Sequence, residues 1–122
     1  MQKLIIEGRL PGLNDYIDAE RNNKHKAAKM KRDCEQVVTL YAKQSLRNWK
    51  AKGPVVMHYL WVEKDRRRDK DNISGFGRKV IQDALVKAGY LRNDGWAHIE
   101  RFTDDFAVDK TYPRIEVIIE EC

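Results

Sequence analysis

The chain has no apolar run near the roughly 20 residues that a membrane-spanning helix needs. Its opening, MQKLIIEGRLPG, lacks the long apolar core of a signal peptide. A cytoplasmic protein with no membrane partner is the expectation. Cysteine is scarce. Cys34 falls inside an apparent helix and Cys122 is the last residue, which gives neither a metal-ligand spacing nor a disulfide framework, so both are expected as free thiols. His25, His58 and His98 stand singly and form no zinc pattern. Internal repeats are absent, and 122 residues suffice for one core but not two, so residues 1–122 are expected to form a single domain.

Charge is what the chain has in quantity: 35% of its residues are charged, with a net +5. The distribution matters more than the total. RNNKHKAAKMKR, residues 21–32, carries Arg21, Lys24, Lys26, Lys29, Lys31 and Arg32 with no acid among them. A second cluster, Lys64, Arg66, Arg67, Arg68 and Lys70, is interleaved with aspartates. Such clusters neutralise phosphates and release condensed counterions, giving affinity for a polyanion without regard to sequence. They also occur as plain solvated faces.

The hydrophobic pattern orders the elements. KLIIEGRL reads as a strand, broken by Pro11 and Gly12, and the segment through NDYIDAERNN reads as irregular. From about Lys24 to Trp49, Ala27, Met30, Cys34, Val37, Val38, Tyr41 and Leu46 recur at helical spacing. VVMHYLWVEK, rich in branched and aromatic residues, predicts a strand interior to the sheet. A second helix runs from Ile73 through Ala88, with Asp71 or Asn72 as its N-cap and Gly89 as its stop. A strand near His98 to Phe102 follows the loop YLRNDGW, and RIEVIIEE closes the chain as a strand with one wet face. The predicted class is α+β, a mixed sheet with two main helices.

The chemistry concentrates in DRRRDKDN, Asp65 to Asn72. In an extended segment Asp69 and Asp71 project to one side and Lys70 to the other, so both carboxylates reach one cation. Mg²⁺ takes oxygen ligands in near-octahedral geometry at about 2.0 to 2.1 Å, commonly one or two carboxylates with water and substrate phosphate. Asp94, in RNDGW, is a third candidate if the chain folds back toward the helix start. Each residue also has a structural account: Asp71 as a helix cap, Asp69 paired with Arg67 or Arg68, Asp94 as a turn residue before Gly95, and Lys79 paired with Asp83 at i, i+4. Phe76 reads first as a core residue and second as a wedge at a DNA crossover.

In combination and order, RRRDKDN, GRKVIQDALVKAG, LRNDGW and RIEVII, with LPGLNDY near the start, resemble the RusA family of Holliday-junction resolvases over nearly the whole chain. The resemblance implies a RusA-like fold and a Mg²⁺-dependent (or Mn²⁺-dependent) endodeoxyribonuclease, of a kind often carried by phages and prophages. Such an enzyme acts in recombination and repair as a homodimer, nicking opposed strands of a four-way DNA junction. It implies Asp69, Asp71 and Asp94 as metal ligands and Lys79 as the catalytic cation, with Arg78 as the alternative. Arg66, Arg67, Arg68, Lys70, Asn72, Arg78, Lys24, Lys26, Lys29, Lys31 and Arg32 are the expected DNA-contacting set. Two departures stand out. The lysine comes a turn later than in the best-known members, after an extra ISGF, and Asn93 replaces the first of the family's usual acidic pair. The alternatives are a non-catalytic branched-DNA binder of the same fold, a nuclease preferring flaps or forks, and a small adaptor whose charges are only a solvated surface.

Overall fold

The computed structural model describes all residues from Met1 to Cys122. Its elements are β1 (Gln2–Glu7), α1 (Leu13–Asn22), α2 (Lys24–Leu46), β2 (Val55–Glu63), α3 (Lys70–Lys87), β3 (Ile99–Val108) and β4 (Arg114–Glu121). The four strands form one sheet in the order β1-β4-β2-β3, in which β2 and β3 run parallel and the other pairings are antiparallel. This is the expected α+β class with a mixed sheet, built with three helices rather than two.

Period-two alternation decides which face of the sheet is covered. Leu4 and Ile6 of β1, Val55, Met57, Tyr59 and Trp61 of β2, and Ile115, Val117 and Ile119 of β4 all join the core. Against them pack Cys34, Val38, Ala42 and Leu46 of α2, and Ile73, Phe76, Val80, Ile81, Ala84 and Leu85 of α3. β2, between β4 and β3, is interior as expected. The parallel β2–β3 pair is joined through α3, as a parallel pair requires a crossover.

Close approach explains the odd GFG at residues 75–77. A Cβ on Gly77 would lie 2.9 Å from a ring carbon of Trp61, so a larger residue there would push α3 off the sheet. Phe76, between the two glycines, is 4% exposed and stacks on Tyr16 with ring centroids 4.5 Å apart. It is a core residue, and the wedge reading fails on burial.

Five expectations need correction. NDYIDAERNN is helical, not irregular. The backbone N–H of Gly12 donates to Asp15 Oδ2 at 2.9 Å, half of a capping-box arrangement, and the N–H of Asn14 donates to Asn72 Oδ1 at 2.8 Å. α2 ends at Leu46 rather than Trp49, and Val37 is exposed rather than in the core. α3 begins at Lys70 with Asp69 as its N-cap, not Asp71 or Asn72. Gly89 follows the helix at φ +87°, the left-handed stop that favours glycine. β3 extends to Val108, six residues past the expected Phe102.

Candidate functional site

The carboxyl ends of the parallel strands β2 and β3 meet the amino end of α3, and a cleft of about 800 Å³ opens there. Glu63, Asp65, Arg66, Arg68, Asp69, Lys70 and Asp71 line it, with Phe106 and Val108 of β3 as its apolar wall. The free N–H groups at the start of α3 give this end partial positive charge, which favours Asp71 in the first turn and any incoming anion.

The three arginines have different fates. Arg68 forks onto Glu63, Nε to Oε1 and Nη2 to Oε2, both at 2.9 Å, while its Nη1 donates to the Leu10 carbonyl at 3.2 Å. With both partners nearly buried, Arg68 is a structural clamp between β2 and the β1–α1 connection rather than a free phosphate ligand. Arg67 is 86% exposed and leans on Asp65 at 3.6 Å, with its backbone N–H on the same carboxylate. Arg66 faces the cleft.

Asp69 and Asp71 both line the cleft, but not as an extended i, i+2 pair. Because α3 starts at Lys70, Asp71 belongs to the first helical turn and Asp69 to the extended residue before it. For the same reason Lys70 does not point away. It lines the same cleft, its ammonium 5.6 Å from the centre of the Phe106 ring. Neither aspartate takes part in an ion pair, and Asp69 makes no side-chain cap hydrogen bond. Asn72 is turned to α1, where it accepts from Asn14, so it is a tether between helices.

Asp94 lies elsewhere. The loop after α3 does fold back along the helix, but it stops at Lys79, whose ammonium reaches Asp94 at 3.3 Å and Asp83 at 3.1 Å. Lys79 is eight residues beyond Asp71, about 12 Å along the helix axis. Hydrogen bonding to Asp83 and Asp94 raises the Lys79 ammonium above its usual range. The Lys79–Asp83 pair expected from i, i+4 spacing is therefore present. Asn93 accepts the Asp94 backbone N–H at 2.8 Å. No group of three or more His, Cys, Asp or Glu side chains gathers in a metal-holding geometry. Asp69, Asp71 and Asp94 thus do not fit one three-carboxylate metal centre within a single chain.

Arg78, the alternative cation, faces the sheet. Its Nη2 donates to Asp104 Oδ2 at 2.6 Å, and its guanidinium lies 4.6 Å from the centre of the Phe102 ring. Trp61 Nε1 donates to the other Asp104 oxygen at 2.9 Å. Asp104 was not among the sequence candidates. Its signal was an acid on the apolar register of β3, between Phe102 and Phe106.

The remaining cations divide likewise. Lys31 bonds Asp83 at 2.6 Å, and Lys87 bonds Glu35 at 2.8 Å, so both hold α2 to α3. Burial alone would raise the Asp83 carboxyl, but hydrogen bonds from Lys31 and Lys79 hold it below its ordinary value. Lys29 pairs with Asp33 on the surface at 2.7 Å. Arg32 borders a groove between α2 and α3, and Lys24 and Lys26 are exposed at the start of α2 behind the Asn23 cap.

No protein-family model matches the chain, and no curated protein matches it. The likeness to RusA resolvases stands on the quoted motifs. No helix is long and apolar enough to cross a membrane.

Proposed function

We propose that the chain is a metal-dependent endodeoxyribonuclease of the RusA type that nicks branched DNA, four-way junctions foremost, and works as a homodimer. One observation carries the reading. Of the four acids in the cleft, Glu63 and Asp65 are matched to arginines, while Asp69 and Asp71 are left without a cation beside Arg66 and Lys70. A surface that only binds DNA gains nothing from unmatched carboxylates next to phosphate. Two carboxylates, completed by water and substrate phosphate, are within the usual Mg²⁺ repertoire. The basic rim offsets the repulsion between the aspartates and the polyanion.

A second reading, a branched-DNA binder without turnover, is favoured by Asp94, which is bound to Lys79 rather than joined to the aspartate pair.

The deciding experiment incubates the purified protein with a labelled four-way junction, a flap, a fork and a linear duplex, each with Mg²⁺, Mn²⁺ or EDTA, read on a denaturing gel. Paired metal-dependent nicks in opposed strands of the junction are expected. Cleavage confined to flaps or forks would keep the nuclease and discard the resolvase. Tight, salt-sensitive junction binding without cleavage would establish the binder. Neither binding nor cleavage would leave the charges as a solvated surface.

A further inference from the structure

β3 is an edge strand, bonded to β2 on one side only. Exposed edges invite pairing with another chain, and single-chain proteins blunt them with short length, proline, bulges or repulsive charge. β3 runs from Ile99 to Val108 without proline, and its one irregularity lies at its start, opposite Val55 and Val56. Beyond it, Arg101 to Asp105 pair regularly with Val56 to Leu60. Phe102, on this edge, is 46% exposed.

The charges on the strand are arranged symmetrically. Arg101, Thr103 and Asp105 share the face of β3 away from the helices, and neither Arg101 nor Asp105 forms an ion pair within the chain. A two-fold axis through Thr103, perpendicular to the sheet, sets two β3 strands antiparallel. Each Arg101 then stands directly opposite an Asp105, with Thr103 facing its own copy. Neighbouring registers on the same face pattern are worse: an axis at Phe102 sets Asp104 against Glu100, and one at Asp104 sets that acid against itself. The other edge, β1, has no comparable free pair, because Lys3 is already bound to Glu116 at 2.8 Å.

We propose that two copies of this chain join through their β3 edges, antiparallel about Thr103, to form one continuous eight-stranded sheet closed by two Arg101–Asp105 ion pairs. The expectation of a second copy rests on the proposed function. The interface is argued from the strand itself, and its test needs no cleavage.

The test is sedimentation equilibrium of the full chain without DNA. The wild type is expected to sediment as a dimer. Arg101→Asp and Asp105→Arg each replace two cross-strand attractions by two repulsions and should weaken association about tenfold or more. The double exchange, Arg101→Asp with Asp105→Arg, should restore it to within a few-fold of wild type. Thr103→Cys in a Cys122→Ser background provides a second readout. Opposed residues in an antiparallel pair have Cα atoms about 4.5 to 5.5 Å apart, within disulfide reach. Mild oxidation should give a cross-linked dimer on a non-reducing gel, and the remaining cysteine, Cys34, is buried. A monomeric wild type, single exchanges that leave association unchanged, a double exchange that fails to restore it, or no cross-link would each overturn the proposal. If sedimentation overturns the interface while the wild type still nicks junctions, the interface falls and the nuclease reading stays intact.

Discussion

Two regions of the molecule are built from the same mixture of lysine, arginine and carboxylate, and they do opposite things with it. In the seam between α2 and α3, Lys31, Lys87 and Lys79 are each matched to an acid: Asp83, Glu35, and Asp83 with Asp94. In the cleft at the start of α3 the matching stops halfway. Glu63 and Asp65 are paired, Asp69 and Asp71 are not, and Arg66 and Lys70 stand beside them. The seam consumes its charges in packing. The cleft keeps some in reserve. The difference teaches that a dense run of opposite charges in sequence says little until its pairing is known, because neutrality of the whole conceals which members are spare.

The sharpest way to break this comparison is to remove a spare charge. Asp71→Asn should lower junction cleavage by about a hundredfold or more while preserving or tightening junction binding, since it deletes a ligand and a repulsive charge together. Wild-type cleavage by this variant would remove Asp71 from the site. Next in size is the matched pair within the cleft. Arg68→Ala strands a nearly buried Glu63 and should cost about 3 kcal/mol in urea unfolding. A loss confined to DNA affinity, with stability intact, would make Arg68 a ligand after all.

The seam should respond more mildly and with a pH signature. Asp83→Asn is expected to cost about 1 kcal/mol at neutral pH. The folded-state pKa of Asp83 is depressed, so its contribution is fully present above the unfolded value of about 3.9 and fades as pH falls through the folded value. Wild type and variant should therefore converge in acid. A stability gap that stays constant down to pH 2 would show that charge is not the cause. The smallest effect belongs to Arg67→Ala. At 86% exposure its pair with Asp65 contributes at most about 0.5 kcal/mol to folding. Loss of one phosphate contact would reduce the salt slope of DNA binding by about 1, and an unchanged slope would take Arg67 out of the interface.

How far the sequence could be read follows from the range of the interactions. All four strands and both long helices were legible, because their signals are local periodicities of two and 3.6 residues. α1 was missed because LNDYIDAERN is mostly polar and its apolar face is thin: Ala19 is its one fully buried residue. Gly12 with Asp15 three residues on was the available sign. The start of α3 was misplaced by two or three residues, and that small error turned Lys70 from the back of the site to its lining. The partners of Arg68, Arg78 and Asn72 lie on other elements, and no local rule supplies them. Asp94 was the intermediate case: its return along α3 was foreseeable, but where it stopped was decided by Lys79.

Asn72 carries a consequence beyond its bond. It follows Asp71 directly and holds the first turn of α1, while α1 is separated from the basic start of α2 by Asn23 alone. The first turn of α1, and through it the approach to the basic start of α2, is thus tied to the acids of the cleft by a neutral amide, while the body of α2 is held to α3 by the core and by Lys31 and Lys87. A substitution that leaves every charge in place, such as Asn72→Leu, would still change the electrostatic landscape that DNA encounters, by altering where the charges stand rather than how many there are.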